Sequence, residues 1–217
     1  MSLLLAIETS SDEYRVVLGH DGKPIFDSAR DDGNAPSGDL AGVVLGGLGL
    51  ISAQVTEIKG VAVNIGPGAH SYVRAGVSFG NALAFSLGIP IYPFNYFEII
   101  ASQARKITLL PVLCIVSASN DNAYVSLING TSIEIMRFGP LSETLTEISD
   151  GLTEVAIAGR IRHRLSSLLN GIEVLDTGIE KPDASVLLEL GFRAYEGAGT
   201  SVAQVSPLND QSEIFYD

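Results

Sequence analysis

Short apolar runs separated by polar turns organise the first part of the chain. The run 3–7 is apolar at every position and predicts a strand. Two further short runs, 14–18 and 24–29, lie on either side of an Asp-Gly pair at residues 21 and 22, which favours a tight hairpin turn. We therefore predict that the chain begins with an antiparallel meander of three strands.

Helical and extended patterns alternate after this meander. A helix is predicted from Leu40, with Asp39 as its N-cap, and a second helix runs from about Ser71 to Leu87 and stops at Gly88. Between and after them we expect a buried strand over 60–65, a short strand at 91–92 and a helix over 96–106. Strands and helices in this order predict a mixed sheet with helices on its faces.

A similar order of elements restarts after residue 103. Strands are predicted over 109–116, 123–128 and 131–138, with Asn129-Gly130 as a hairpin turn. A strand over 154–158, a helix near 161–169, a short strand at 174–175 and a helix over 184–195 follow, and the tail from 205 has no clear period. The chain is therefore expected to be an α/β protein of two related domains, residues 1–103 and 104–217.

The two helices of the first half are unusually rich in small residues. The run 40–53 carries no charge and includes Gly42, Gly46, Gly47 and Gly49. A glycine inside a helix costs roughly 1 kcal/mol relative to alanine, a cost that is tolerated where another backbone approaches closely. Gly76 and Gly80 repeat the four-residue spacing in the second helix. Neither run has an obvious polar stripe, so either another chain or the rest of the domain covers them.

The composition of the chain limits the classes of function that are possible. Of 217 residues, 46% are hydrophobic, and 13 Lys and Arg against 25 Asp and Glu give a net charge of −12. Contact with nucleic acid would therefore need a basic partner. The single cysteine, Cys114, excludes an intrachain disulfide and is expected to be a buried thiol. The sequence has no signal-peptide pattern or membrane-span pattern, so we expect a cytoplasmic protein.

Few residues in the sequence point to a catalytic, metal-binding or phosphate-binding site. The three histidines, His20, His70 and His163, lack metal-ligand spacing. The basic cluster Arg160–Arg164 is most simply a solvated helix face, with contact to a phosphate or an acidic partner as the less favoured interpretation. The Gly-Pro-Gly turn at 66–68 has the position of a phosphate cradle but no Walker lysine, and a tight turn is favoured. The loop 8–10 has the position of the metal and phosphate loop of actin-like phosphotransferases. It is either a degenerate nucleotide site or a turn capped by hydroxyls.

Two segments resemble the bacterial TsaB (YeaZ) family of tRNA threonylcarbamoyladenosine biosynthesis. Leu-Leu-Ala-Ile-Glu-Thr-Ser at 4–10 is similar to that family's Ile-Leu-Ala-Ile-Asp-Thr-Ser start. Gly-Pro-Gly at 66–68, followed by Arg74 and Gly76, resembles its Gly-Pro-Gly-Ser-Phe-Thr-Gly-Leu-Arg-Ile-Gly signature. Leu-Gly-Ile-Pro at 87–90 extends the match, whereas the glycine-rich first helix departs from the family pattern.

The resemblance implies an actin-like (ASKHA) fold of two ribonuclease-H-like mixed-sheet halves. It implies a non-catalytic subunit that binds and activates the TsaD transferase, together with a TsaE-type ATPase, and that pairs with itself when alone. It further implies that tRNA is contacted only through the complex, that no metal or cofactor is bound by the chain alone, and that an adenine nucleotide can sit at the partner interface. The alternatives are a free-standing actin-like ATPase or kinase and, less favoured, a metallopeptidase-like protein.

The resemblance also assigns residues. The family pairs through its first two helices, which here gives the following partner-binding set: Gly42, Leu45, Gly46, Gly49, Ser71, Val73, Arg74, Gly76, Val77 and Gly80. The degenerate phosphate loop would comprise Glu8, Thr9, Ser10, Gly66 and Gly68.

Overall fold

A computed structural model describes residues 2–31, 39–162, 165, 168–198 and 201–209. The chain divides into two compact units. Unit 1 comprises Met1–Asn95 and Asp183–Pro207, and unit 2 comprises Tyr96–Pro182 and Leu208–Asp217. Relative to the expected division at residues 103 and 104, the helix after residue 95 packs in unit 2 and the helix after residue 183 returns to unit 1.

In its described residues, unit 1 contains a five-stranded mixed sheet and three α-helices. Its elements are β1 (Leu3–Glu8), β2 (Arg15–His20), β3 (Lys23–Asp27), α1 (Leu40–Leu50), β4 (Ile58–Asn64), α2 (His70–Leu87), β5 (Ile91–Phe94) and α5 (Ala184–Arg193). The strand order is β3-β2-β1-β4-β5. The first three strands form the predicted antiparallel meander, while β4 is parallel to β1 and β5 is parallel to β4.

Helices cover both faces of this sheet, which explains why β1 is apolar at every position. Leu3, Leu5 and Ile7 point into the core shared with α1 and α2. On the opposite face, α5 approaches so closely that a side-chain carbon on Gly191 would collide with Ala62. β1 is therefore buried on both sides and cannot show the alternation of a half-exposed strand.

Unit 2 repeats the strand topology. Its elements are α3 (Tyr96–Ala104), β6 (Val112–Ser117), β7 (Asn122–Asn129), β8 (Ser132–Pro140), α4 (Leu141–Ile148), β9 (Glu154–Ala158) and β10 (Glu173–Asp176). The strand order is β10-β9-β6-β7-β8, with β6, β7 and β8 antiparallel and β9 parallel to β6. The predicted α/β class with two mixed sheets is confirmed.

Unit 2 also has a core on each face of its sheet. One core includes Tyr96 and Phe97 of α3 together with Cys114, and the other includes Leu145 and Ile148 of α4. The Cys114 side chain is fully buried, as predicted, and burial raises the pKa of its thiol above the ordinary value. In the described residues, no helix is long and apolar enough to cross a membrane.

The structure differs from the sequence predictions at α1 and α4, and a third prediction falls partly outside the described residues. Asp39 occupies the N-cap position of α1, but its side chain makes no capping hydrogen bond. Helix α4 was not predicted from the sequence, although its apolar positions face the core at helical spacing. The helix predicted near 161–169 and the basic cluster Arg160–Arg164 both fall partly outside the described residues.

Candidate functional site

The loop that follows β1 holds a buried carboxylate. Glu8, only 2% exposed, accepts hydrogen bonds from the Ser10 backbone N–H, at 2.7 Å, and from the Ser10 hydroxyl. Its other oxygen accepts from the side-chain amide of Asn64, at the end of the neighbouring parallel strand β4. The amide oxygen of Asn64 in turn accepts from the Gly66 N–H at 2.8 Å. Glu8, Ser10, Asn64 and Gly66 thus form one network, called the Glu8 network below.

Two glycines close the Glu8 network on its remaining sides. A side-chain carbon on Gly68 would collide with the Ser10 carbonyl oxygen, and one on Gly76 would collide with the Thr9 hydroxyl. The Ser10 carbonyl also accepts from the Ala69 N–H, at 2.9 Å, just before α2 begins. The start of α2 is therefore pressed against the loop, and the two glycines are required by this close approach.

The electrostatics agree with a closed site. Burial raises the pKa of the Glu8 carboxyl, while the hydrogen bonds from Ser10 and Asn64 act in the opposite direction. The Thr9 hydroxyl has no hydrogen-bond partner among the described residues and faces the side of α2. The five residues predicted for a degenerate phosphate loop are therefore brought together, and the Glu8 carboxylate among them is enclosed by hydrogen bonds from Ser10 and Asn64.

Asn64 was not identified from the sequence. The signal that could have found it is the polar side chain that follows the apolar run 60–63 at the end of the strand. Because β1 and β4 are parallel neighbours, their carboxyl ends meet, and Asn64 falls beside the Glu8 loop.

The outer face of α1 is apolar and bare. Leu45 is 61% exposed and Leu50 is 67% exposed. Between them, Gly46 and Gly49 are exposed, and a side-chain carbon on either would meet no atom within 4 Å. Leu45, Gly46, Gly49 and Leu50 are called the α1 face below. The inner residues of α1 pack into the core of unit 1.

Helix α2 differs from its predicted role. Of the residues predicted to bind a partner, only Ser71 and Arg74 are exposed in α2. The other four are buried against the chain's own unit 1: Val73, Gly76, Val77 and Gly80. Gly76 is small because Thr9 packs there, and a side-chain carbon on Gly80 would lie 3.3 Å from Ile91. The glycine spacing in α2 therefore marks close packing of helix on sheet, and these four residues are corrected from surface to core.

In α1, by contrast, the prediction places most residues on the surface. Leu45, Gly46 and Gly49 lie outward, and Gly42 is half-buried beside the Asp39 side chain. The outer side of α2 carries the exposed polar residues Ser71, Arg74, Ser78 and Ser86, together with exposed Ala82 and with Phe85, which is 90% exposed. The expectation that neither helix has an outer polar stripe is therefore correct for α1, whereas the outer side of α2 mixes polar residues with Phe85.

Unit 2 has an open cavity where unit 1 is closed. A cavity of about 340 Å³ lies beyond the carboxyl end of β6 and is lined by Ser117, Asp121 and Ser142 among others.

In the described part of the basic cluster, Arg162 pairs with Asp176 at 2.7 Å and with Glu180 at 3.1 Å. Among the described residues, no group of three or more His, Cys, Asp or Glu side chains is placed to hold a metal ion.

Comparison with known proteins relates the chain to one family of transferases. The family model "TsaD: tRNA N6-adenosine threonylcarbamoyltransferase" matches residues 48–137. The tRNA N6-adenosine threonylcarbamoyltransferase of Geotalea uraniireducens is 26% identical over 67% of this chain and 46% of the relative. That of Geobacter sulfurreducens is 32% identical over 44% of this chain and 33% of the relative. The chain thus spans less than half the length of these curated relatives.

Solved structures define the fold. A Pseudomonas aeruginosa protein described as similar to peptidase YeaZ has a TM-score of 0.75 at 22% identity, covering 97% of this chain and 100% of that one. YeaZ from Pseudomonas aeruginosa has a TM-score of 0.73 at 23% identity, covering 96% and 100%. A ROK family protein from Streptococcus pneumoniae has a TM-score of 0.52 at 10% identity, covering 89% and 99%.

These matches place the chain in a class of α/β proteins with the actin-like fold of two mixed-sheet units. Within that class, the fold over almost the whole chain is that of YeaZ, and residues 48–137 match the TsaD family model. The fold expected from the resemblance to the TsaB (YeaZ) family, drawn from the Gly-Pro-Gly segment and the opening strand, is confirmed by these neighbours.

Proposed function

We propose that this chain is a non-catalytic subunit of tRNA threonylcarbamoyladenosine modification, which binds a TsaD-type transferase and holds it in its active form. The observation that carries the proposal is the α1 face. Two large apolar side chains stand exposed beside two bare glycines, an arrangement that stays costly until a second surface covers it. The YeaZ fold and the TsaD family match support the choice of partner class.

The bare glycines define the geometry of docking. Without side chains at Gly46 and Gly49, a partner helix can approach the α1 backbone closely, while Leu45 and Leu50 supply the apolar area. Arg74 and Ser71, exposed at the start of α2, add polar contacts if the interface extends to that helix. We propose the transferase as this partner, with self-pairing through the same face when the chain is alone in the cytoplasm.

The closed Glu8 network supports a non-catalytic role over a free-standing actin-like kinase. Such a kinase needs the carboxylate and hydroxyls after its first strand to reach metal and phosphate. Here the Glu8 carboxylate accepts its hydrogen bonds from Ser10 and Asn64, and Gly68 and Gly76 bring α2 down onto the same loop. An adenine nucleotide and a TsaE-type ATPase would accordingly act at the partner interface, and tRNA would be contacted through the transferase.

Binding of a purified TsaD-type transferase tests the proposal. Leu45→Asp places a charge in the α1 face and is expected to weaken binding by at least roughly a hundredfold, as for a central interface residue. Leu109→Asp is the matched control, because Leu109 is also exposed but lies in unit 2. Titration calorimetry measures both. Equal affinities for the two variants would show that the transferase does not use the α1 face.

A measurement of ATP turnover distinguishes the proposed non-catalytic role from the alternative, a free-standing ATPase or kinase. The purified chain with magnesium and ATP is expected to show no turnover above that of a Glu8→Gln variant. Turnover that is lost in Glu8→Gln would identify a kinase or ATPase and overturn the non-catalytic assignment.

A further inference from the structure

The last described segment of unit 1 is held like a bound peptide. Residues 201–206, called the strap below, run along the edge strand β5 and the side of α2. The Val202 N–H donates to the Ile91 carbonyl at 3.1 Å, forming an isolated antiparallel bridge on the outer edge of the sheet. The strap therefore uses the free edge of β5 as an added strand would.

The side-chain amide of Asn81 binds the main chain of the strap. Its amide nitrogen donates to the Val205 carbonyl at 2.9 Å, and its amide oxygen accepts from the Val205 N–H at 3.0 Å. One side-chain amide thus satisfies both main-chain groups of a single extended residue. This pairing recognises an extended backbone independently of the strap's side chains.

A single apolar side chain anchors the strap. Val205 is 6% exposed and belongs to the core shared by β1, α1 and α2, whereas Val202 is 37% exposed. The remaining side chains, those of Ser201, Ala203, Gln204 and Ser206, are exposed. One buried branched residue, one bidentate amide and one edge-strand bridge are the elements by which proteins bind short extended peptides.

We propose that Asn81, the edge of β5 and the Val205 pocket form a peptide-binding site for an extended segment with one branched apolar anchor. In this chain the site is occupied by its own strap, which acts as a detachable ligand. Because the strap is tethered, its effective concentration at the site is high, and a free peptide of the same sequence competes poorly with it. This inference does not depend on the proposed docking of a transferase.

Binding of a synthetic peptide to full-length variants tests the site. The probe is a fluorescent peptide with the sequence of residues 201–208. Val205→Asp unseats the strap by placing a charge in the core, so this variant is expected to bind the peptide at least about tenfold more tightly than the wild-type chain. Val202→Asp is the matched control, since it adds the same charge to an exposed position of the strap. It should bind as weakly as wild type.

Two further arms complete the binding test. Adding Asn81→Leu to Val205→Asp should abolish peptide binding, and a peptide carrying Asp at the Val205 position should not bind. No gain of binding in a folded Val205→Asp variant, or binding that survives Asn81→Leu, would overturn the proposal.

Amide exchange in the otherwise native chain provides an independent readout. In Asn81→Ala, exchange at the Val202 and Val205 amides is expected to rise by about tenfold, as loss of the paired hydrogen bonds predicts, while the amides of α2 keep their protection. If exchange rises equally throughout α2, Asn81 is a core support of the helix and the strap is not a separable ligand.

Discussion

The two units have the same strand topology, but the residues that end their first strands, β1 and β6, lie in different surroundings. In unit 1, β1 ends at Glu8, whose carboxylate is enclosed by Ser10 and Asn64. In unit 2, β6 ends at Ser117, which is exposed and borders a cavity of about 340 Å³. Equivalent positions in one topology thus carry a closed polar network in one unit and an open cavity in the other.

The difference follows from what lies behind each loop. In unit 1 the 18-residue helix α2 begins immediately after the Gly-Pro-Gly turn, and Gly68 and Gly76 let it press against the loop. In unit 2 the described part of the connection after β9 contributes Ile161 and Leu168 to the wall of the cavity beside Ser117. A shared strand order therefore does not predict a shared site, because the site depends on the connections.

The largest effect on stability is expected at Gly76, where the missing side chain lets α2 pack against the loop after β1. Gly76→Leu forces a side chain into Thr9 and is expected to lower the free energy of unfolding by about 3 kcal/mol, through overpacking of the unit 1 core. Urea denaturation followed by circular dichroism measures this change.

Gly46→Leu is the control for Gly76→Leu, since a side-chain carbon there meets no atom within 4 Å. It is expected to leave stability unchanged or to raise it by up to about 1 kcal/mol, through helix propensity. Equal destabilisation by both substitutions would mean that α2 does not depend on close approach to the loop.

These two glycines show how far the sequence could predict the structure. The four-residue spacing of glycines in 70–87 correctly indicates that something approaches that helix closely, whereas for 40–53 a close approach at Gly46 stays a prediction. The spacing does not indicate what approaches, because a bare helix surface fits a sheet of the same chain as well as another molecule. For α2 the approaching partner is β1 and its loop, whereas a side-chain carbon on Gly46 or Gly49 of the α1 face would meet no atom within 4 Å.

The strands were predicted more completely than the site. Apolar runs and Asp-Gly or Asn-Gly turns locate both meanders, because burial and turn geometry are local properties of the sequence. The Glu8 network joins residues 8 and 64, and their contact arises only when β1 and β4 pair in parallel register. The pairing of Asn81 with Val205 likewise spans most of the chain and has no local signal.

A smaller effect is expected at the Glu8 network itself. Glu8→Gln puts a second amide NH₂ group opposite the Asn64 amide and leaves a buried donor without an acceptor. We expect the free energy of unfolding to fall by about 2 kcal/mol. The comparison is Ser117→Ala at the matching end of β6, which should change stability by less than about 0.5 kcal/mol because Ser117 is exposed. Similar losses at the two positions would contradict the contrast between the closed loop and the open one.

The pH dependence sharpens the same contrast. Burial raises the pKa of Glu8 in the folded chain above the ordinary value of 4.5. Below that value the carboxyl is protonated in both states, and its burial carries no charge penalty. As pH rises through the folded pKa, the folded chain must bury a carboxylate, so the stability of the wild type relative to Glu8→Gln declines. Parallel stability curves from pH 4 to pH 8 would show that Glu8 titrates alike in both states.

The smallest effect is expected at the surface of unit 2. Arg162→Ala removes ion pairs to Asp176 and Glu180, whose side chains are largely exposed, and should cost less than about 1 kcal/mol. Most of that loss should disappear in high salt, because exposed pairs are screened. Thermal unfolding at low and high salt measures both values, and a loss that persists in salt would indicate packing by the arginine stem.

The return of the chain to unit 1 after residue 183 has a consequence for biosynthesis. The ribosome delivers the sheet of unit 1 first, but α5, which covers one of its faces, emerges only after all of 96–182 has been translated. Unit 2 draws its sheet and helices from one uninterrupted stretch and can fold while unit 1 still waits for its second layer. A nascent chain stalled before α5 therefore exposes the sheet face around Ala62 and is the stage at which a chaperone would be needed most.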